Sequence, residues 1–190
     1  MGIDGNGWEL RVERLGIQRH HELARTYGRY SVHIDGMPQG LEGLMCEAIG
    51  PGDNSKQDNG KRIAASAYPL STQFGTYVSI GFSKNLKMPG DPKMPGVLLT
   101  GTDKRKGILI HPAHPPHEKL YLSAIGCLNP TGTLRSNDYM DFWDSRSRVL
   151  AIIASLRAFA PAAFDQRRRT AIPNANVVIR GEPAEEWSDA

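Results

Sequence analysis

Glycine and proline punctuate this chain from end to end, twenty and thirteen respectively among 190 residues, and that punctuation limits what it can fold into. Both residue types interrupt helices, so a helical bundle is disfavoured and a turn-rich β or α+β fold is expected. The stretches between turn formers carry the matching pattern. Trp8 to Leu15 alternates apolar and charged residues as a half-buried strand does. Tyr30, Val32 and Ile34 share one face up to the turn signal Asp35-Gly36-Met37-Pro38, and Leu41 to Ile49 supplies the return strand of a hairpin. Residues 50–61 carry almost no apolar side chain and read as an exposed loop. Further strands are expected from Arg62 to Pro69, from Gly75 to Phe82 and at Ile108-Leu109-Ile110. Between them, Lys84 to Gly96 is crowded with Pro and Gly and reads as an irregular surface loop, placed to act as a substrate lid.

After Gly132 the pattern changes. Phe142, Val149, Ile152, Ile153, Leu156 and Phe159 recur at helical spacing, with Ser136-Asn137-Asp138 as the capping segment and Pro161 as the stop. Val177-Val178-Ile179 reads as a last strand. The expected organisation is therefore a lead-in and first strand (1–26), a β-rich core (27–135), a packing helix (136–161) and a polar tail with one strand (162–190). The fold class is mainly β, a β-rich α+β chain with a single C-terminal helix.

Charge and cysteine usage exclude several function classes. The net charge is +3, and no long Lys/Arg run is interleaved with aromatics, so nucleic-acid binding is not expected. Arg167-Arg168-Arg169 reads as a solvated helix end. No apolar run is long enough to span a bilayer, and the opening MGIDGNGWEL lacks a charged start and an apolar core. Membrane insertion is not expected, and synthesis in the cytoplasm without a Sec-type signal is. Two cysteines without C-x-x-C spacing make neither a disulfide framework nor a zinc ribbon. Cys46, on a strand with Leu44, is expected in the core, with a regulatory disulfide to Cys127 as the alternative.

The chemistry concentrates between Gly107 and Gly132, GILIHPAHPPHEKLYLSAIGCLNPTG. The run Ile108-Leu109-Ile110 delivers His111 at a strand end, and Leu120-Tyr121-Leu122 leads as a second strand into Ser123 and Gly126-Cys127. A thiol becomes a nucleophile when a neighbouring imidazole takes its proton or stabilises the ion pair, and His111, His114 and His117 are close in sequence. Gly126 removes a side chain beside the sulfur, which lets a carbonyl approach and backbone N–H groups face a developing oxyanion. The candidate catalytic residues are Cys127, His111, Ser123 and Gly126, with His114, Tyr121 and Asn129 flanking them for substrate binding. This chemistry needs no cofactor. A competing arrangement uses His111, His114 and His117, with Cys127 or Glu118, as a zinc-type site. Pro112, Pro115 and Pro116 forbid the helix that would gather those rings on one face.

These residues resemble the L,D-transpeptidase catalytic domain, a β-rich fold of bacterial cell-wall enzymes. That family has a strand ending in His-Gly and a later Ser/Thr-His-Gly-Cys-apolar-Arg segment whose Cys is acylated by a peptidoglycan stem peptide. Ile110-His111 is similar to the first element, and Ser123…Gly126-Cys127-Leu128 to the second. A looser Ser-x-Gly-Cys form occurs in type VI secretion effectors of the same fold, which damage the walls of competing bacteria. The chain also resembles a small bacterial and phage family of unknown function with an Ile-His-Pro…Gly-Cys segment after a Gly-Thr-Tyr strand, matched by Gly75-Thr76-Tyr77 and Ile110-His111-Pro112. The likeness covers residues 28 to 132. It departs where Pro112 follows His111, where Ile125 stands for the second His, and where Asn129 replaces the Arg.

The resemblance implies a β-sandwich or barrel in which Cys127 attacks the carbonyl of a diaminopimelate residue and His111 is the general base. An amine acceptor gives a crosslink, water gives cleavage, and a free D-amino acid gives exchange; loss of the Arg favours hydrolysis, or an inactive remnant, over crosslinking. The implied partners are peptidoglycan stem peptides, with a secretion or phage particle for delivery and a cognate immunity protein. Its site of action would be the periplasm or cell wall after specialised export. A non-catalytic cell-wall-binding or particle-associated β module is the alternative of a different class.

Overall fold

In the computed structural model the described residues are 5–82, 94–113, 121–122, 126–132 and 134–183. Three long strands open the chain: β1 (Trp8–His20), β2 (Leu23–Ile34) and β3 (Met37–Glu47). They form an antiparallel meander, with the second turn at Asp35-Gly36 as the sequence predicts. Shorter strands follow: β4 (Ala67–Thr72), β5 (Tyr77–Val78), β6 (Met94–Pro95), β7 (Val97–Leu99), β8 (Leu109–Ile110) and β9 (Asn129–Thr131). The helix α1 (Phe142–Phe159), a 3-10 turn at Pro161–Phe164 and β10 (Ala171–Arg180) complete it. The mainly β class with one C-terminal helix is what the chain adopts.

Eight strands form one mixed sheet in the order β8-β7-β4-β10-β1-β2-β3-β9. Its two edges then meet. Ile110 and Leu128 make a parallel bridge, and the Leu128 N–H donates to the Leu109 carbonyl at 2.8 Å while the His111 N–H donates to the Leu128 carbonyl at 3.1 Å. The sheet is thus a nearly closed barrel, which leaves few unpaired strand groups. The remaining two strands, β5 and β6, pair in parallel outside it.

Alternation decides which side chains fill the interior. Trp8, Leu10 and Val12 of β1, Tyr30 and Val32 of β2, Val177 and Ile179 of β10, Ile110 and Leu128 share one core with Val149, Ile152, Ile153 and Leu156 of α1. Those helix positions fall at i, i+3, i+4 and i+7, a stripe that faces one side. A second, smaller cluster of Cys46, Ala113, Leu134 and Met140 packs on the outward face of β3. Charged groups occupy the interior beyond the β1 bulge at Arg14 and Gly16. Arg14 makes a buried bidentate pair with Glu47, at 2.9 and 2.7 Å, and Arg62 is buried in contact with Thr26 and Glu182.

Several expectations shift. Residues 62–66 are irregular, because Arg62 turns into the charged cluster, so β4 starts at Ala67. The strand expected from Gly75 to Phe82 shortens to Tyr77–Val78. Tyr121 and Leu122 are not in a strand, and Leu120 lies outside the described residues. The helix starts six residues after Ser136, with Asp141 as its cap: the Asp141 carboxylate accepts the Asp144 N–H at 2.7 Å. Asp138 instead closes a turn with Arg135. Arg25 holds that turn, since its guanidinium donates to the Arg135 and Asp138 carbonyls. The last strand, predicted as a short run at 177–179, is ten residues long and lies parallel to β1 in mid-sheet.

Candidate active site

The barrel closure places three of the candidate residues, His111, Cys127 and Asn129, on one face. In a parallel pairing, residues opposite one another point to the same face, and the face alternates along each strand. Ile110 and Leu128 point into the core, so Leu109 and His111 on one side, and Cys127 and Asn129 on the other, point outward. His111 and Asn129 lie opposite, and Cys127 is one pleat away on the same face. Antiparallel pairing of Asn129 with Cys46, and of Cys46 with Tyr27, extends the His111 row onto β3 and β2. The imidazole and the thiol therefore share a face because two edge segments meet, not because two flanking strands each end there.

Cys127 is half-buried and its thiol is free. The Leu109 N–H donates to Sγ at 3.3 Å, and the thiol donates to the Gly107 carbonyl, Sγ to O 3.8 Å. Burial pushes the thiol above its ordinary value, opposed by the Leu109 N–H and the charge of Arg105.

His111 is 3% exposed. Its Nδ1 lies 2.7 Å from the Pro112 carbonyl, which can only accept, so Nδ1 carries the proton and Nε2 is the basic nitrogen. Asn129 is fully buried and its Nδ2 donates to the His111 carbonyl at 2.9 Å. The 3.4 Å approach of the same Nδ2 to Nδ1 faces a protonated nitrogen and counts for little. Asn129, expected to touch substrate, instead fixes the histidine backbone. The Tyr77 ring packs against the imidazole, centroids 4.5 Å apart, and is held by Met94 and Phe142. Burial, then the proximity of Cys127, pushes the Tyr77 hydroxyl up to about 12.

Gly126 corrects a second expectation. It sits at φ +94°, and a Cβ there would lie 2.0 Å from Arg105 Nη2. The space left by the missing side chain is filled by that guanidinium, not kept open for a substrate carbonyl. Tyr121, also expected at the substrate, is buried beneath Arg25, whose Cζ stands 3.8 Å from the ring centroid. Ser123, His114 and His117 lie outside the described residues, as does most of the stretch expected to form a lid. Among the described residues no group of three His, Cys, Asp or Glu side chains could hold a metal ion.

Cys46 is buried and free, and burial pushes its thiol up to about 12. A groove of about 730 Å³ opens on the outward face of β10, β1, β2 and β3, lined by Arg11, Glu13, Arg29, Glu42 and Arg180. Neither Cys127 nor His111 lines it, so proximity to the chemistry, not groove size, locates the candidate site. Neither Arg105 nor Tyr77 is among the candidate site residues that the sequence offers. Arg105 is masked by Lys104 and Lys106 on either side, whereas Tyr77 was signalled by its Gly-Thr-Tyr segment.

No family model matches the chain, and neither the curated proteins nor the solved structures contain a match to it. No helix among the described residues is long and apolar enough to cross a membrane.

Proposed function

We propose that this protein is a peptidoglycan-modifying cysteine enzyme that acts on stem peptides through an acyl-enzyme. One observation carries the proposal: the Ile110–Leu128 bridge sets Cys127 and His111 on the same face of adjoining segments. His111 Nε2 takes the thiol proton as Sγ attacks a peptide carbonyl, giving a tetrahedral oxyanion. Collapse breaks the C–N bond, and the leaving amine takes the proton back from His111. The resulting thioester is released by water, regenerating the thiol and a carboxylate, or by an amine acceptor, giving a new amide. Burial that disfavours the thiolate fits a mechanism in which the base acts during attack.

Incubation of the protein with purified sacculi or tetrapeptide stems is expected to change the muropeptide profile, and Cys127→Ala to abolish that change. An unchanged profile with water, diaminopimelate-bearing stems and free D-amino acids as acceptors refutes the enzyme. The same burial of the sulfur favours a second reading, a cell-wall-binding module without turnover. It is upheld if wild-type protein and Cys127→Ala cosediment equally with intact sacculi and leave them unaltered.

A further inference from the structure

We infer that Arg105 is a positioning residue for Cys127, clamping the Gly126–Cys127 turn and setting a buried positive charge beside the sulfur. The inference rests on the acyl-enzyme reading of Cys127, and it concerns a residue far from the Gly-Cys segment in sequence.

Local structure explains why this one basic residue of Lys104-Arg105-Lys106 turns inward. The Arg105 N–H donates to the Thr102 carbonyl at 3.0 Å, the Thr102 hydroxyl donates back to the Arg105 carbonyl, and Asp103 takes a left-handed φ of +50°. The tight turn exposes Lys104 and Lys106 and leaves Arg105 only 1% exposed. Its Nη1 then donates to the Asp53 and Lys61 carbonyls, each at 3.0 Å. The guanidinium is thereby tied to loop 50–61, and that loop is anchored in turn where Glu182 accepts from the Gly52 N–H and Arg62.

The other side of the guanidinium meets the site. Nη2 occupies the place a Gly126 side chain would take, so the Gly126 backbone and the fork are in direct contact. Arg105 Nε is buried and has no hydrogen-bond partner among the described residues. What sets Arg105 apart is this contact: the sulfur one residue beyond it must become negative when His111 takes its proton. The charge of Arg105 acts against burial at that thiol. A Cβ at Gly126 would force the guanidinium to move from its place, besides straining a φ of +94°.

Alkylation of Cys127 by iodoacetamide across pH, followed residue by residue by mass spectrometry, tests the inference without any peptidoglycan. Cys46 is fully buried and serves as the unlabelled internal standard. Arg105→Met is expected to move the Cys127 midpoint up by about one pH unit or more, Arg105→Lys to stay nearer the wild type, and Gly126→Ala to move in the same direction as Arg105→Met. A folded Arg105→Met protein whose profile overlays the wild type overturns the inference. If that variant does not fold, wild-type protein decides. Anionic iodoacetate should gain on neutral iodoacetamide at Cys127 relative to the same cysteine in unfolded protein, and a ratio no higher than in the unfolded chain overturns the inference. Failure of the acyl-enzyme reading would appear only in the muropeptide profile, so the two outcomes are separable.

Discussion

Arg25→Met asks how firmly the segment carrying Cys127 is tied to the barrel. Arg25 is fully buried on β2 and spends its two terminal nitrogens on that segment. Nε donates to the Gln18 carboxamide at 2.9 Å, Nη1 to the Tyr121 and Asp138 carbonyls at 3.0 and 2.8 Å, and Nη2 to the Arg135 carbonyl at 2.7 Å. Methionine keeps much of the apolar stem and removes every donor. Hydrogen bonds from a charged group contribute about 1.5–3 kcal/mol each. The Arg135 and Asp138 carbonyls are half-buried and water can replace the lost donor there, so only the bonds to Gln18 and Tyr121 count in full. Allowing for the arginine desolvation that methionine avoids, the expected loss is about 3–5 kcal/mol. With a urea slope of about 2 kcal/mol/M, the unfolding midpoint falls by roughly 2 M. Below the new midpoint, Cys46 should become reactive, because the Leu134 and Met140 side chains that cover it belong to the released segment. A loss smaller than about 1 kcal/mol with an unchanged slope, and a Cys46 that stays unlabelled, would refute the idea that Arg25 is the clamp.

Asn129→Ala removes the donor to the His111 carbonyl and leaves a buried acceptor unmet, which should lower stability by about 1–3 kcal/mol. Muropeptide turnover should fall further than that loss of folded protein explains, and turnover equal to wild type would show that Asn129 does not position the base. Burial raises the Glu182 carboxyl, but the Gly52 N–H and the Arg62 and Arg14 guanidiniums outweigh it and hold the group below its ordinary value. Because the folded state binds that proton less readily than the unfolded chain, this stabilisation is present above the ordinary carboxylate range and is lost as pH falls through and below it. Thermal unfolding of Glu182→Gln should therefore differ from wild type near neutrality and converge with it at acid pH. A difference that grows on acidification contradicts the sign.

The fold class was legible because strand and helix periods are local properties. Tyr30, Val32 and Ile34 alternate about a turn signal whatever surrounds them, and the Val149 to Leu156 stripe needs only helical spacing to be recognised. Cys127 and His111 could be singled out for the same kind of reason: an imidazole after an apolar run and a thiol after a glycine are readable from neighbours. Boundaries were less legible. Nothing near Ser136 announces that Arg25, more than a hundred residues earlier, captures the carbonyls that would have started a helix there.

Residue chemistry and local periodicity, both carried by the sequence itself, determined that this chain would be β-rich with one long helix and where its reactive groups lie along it. Which of those groups meet was decided by tertiary structure alone. The parallel closure between Ile110 and Leu128 joins the two edges of an eight-stranded sheet, and it sets His111, Cys127 and Asn129 on one face. The same packing turned Asn129 and Tyr121 from expected substrate contacts into buried supports, and drew Arg105 out of a basic surface run to fill the space beside Gly126. Those assignments depend on which segments close the barrel and on which carbonyls a buried guanidinium finds, and neither is written in the spacing of neighbouring residues.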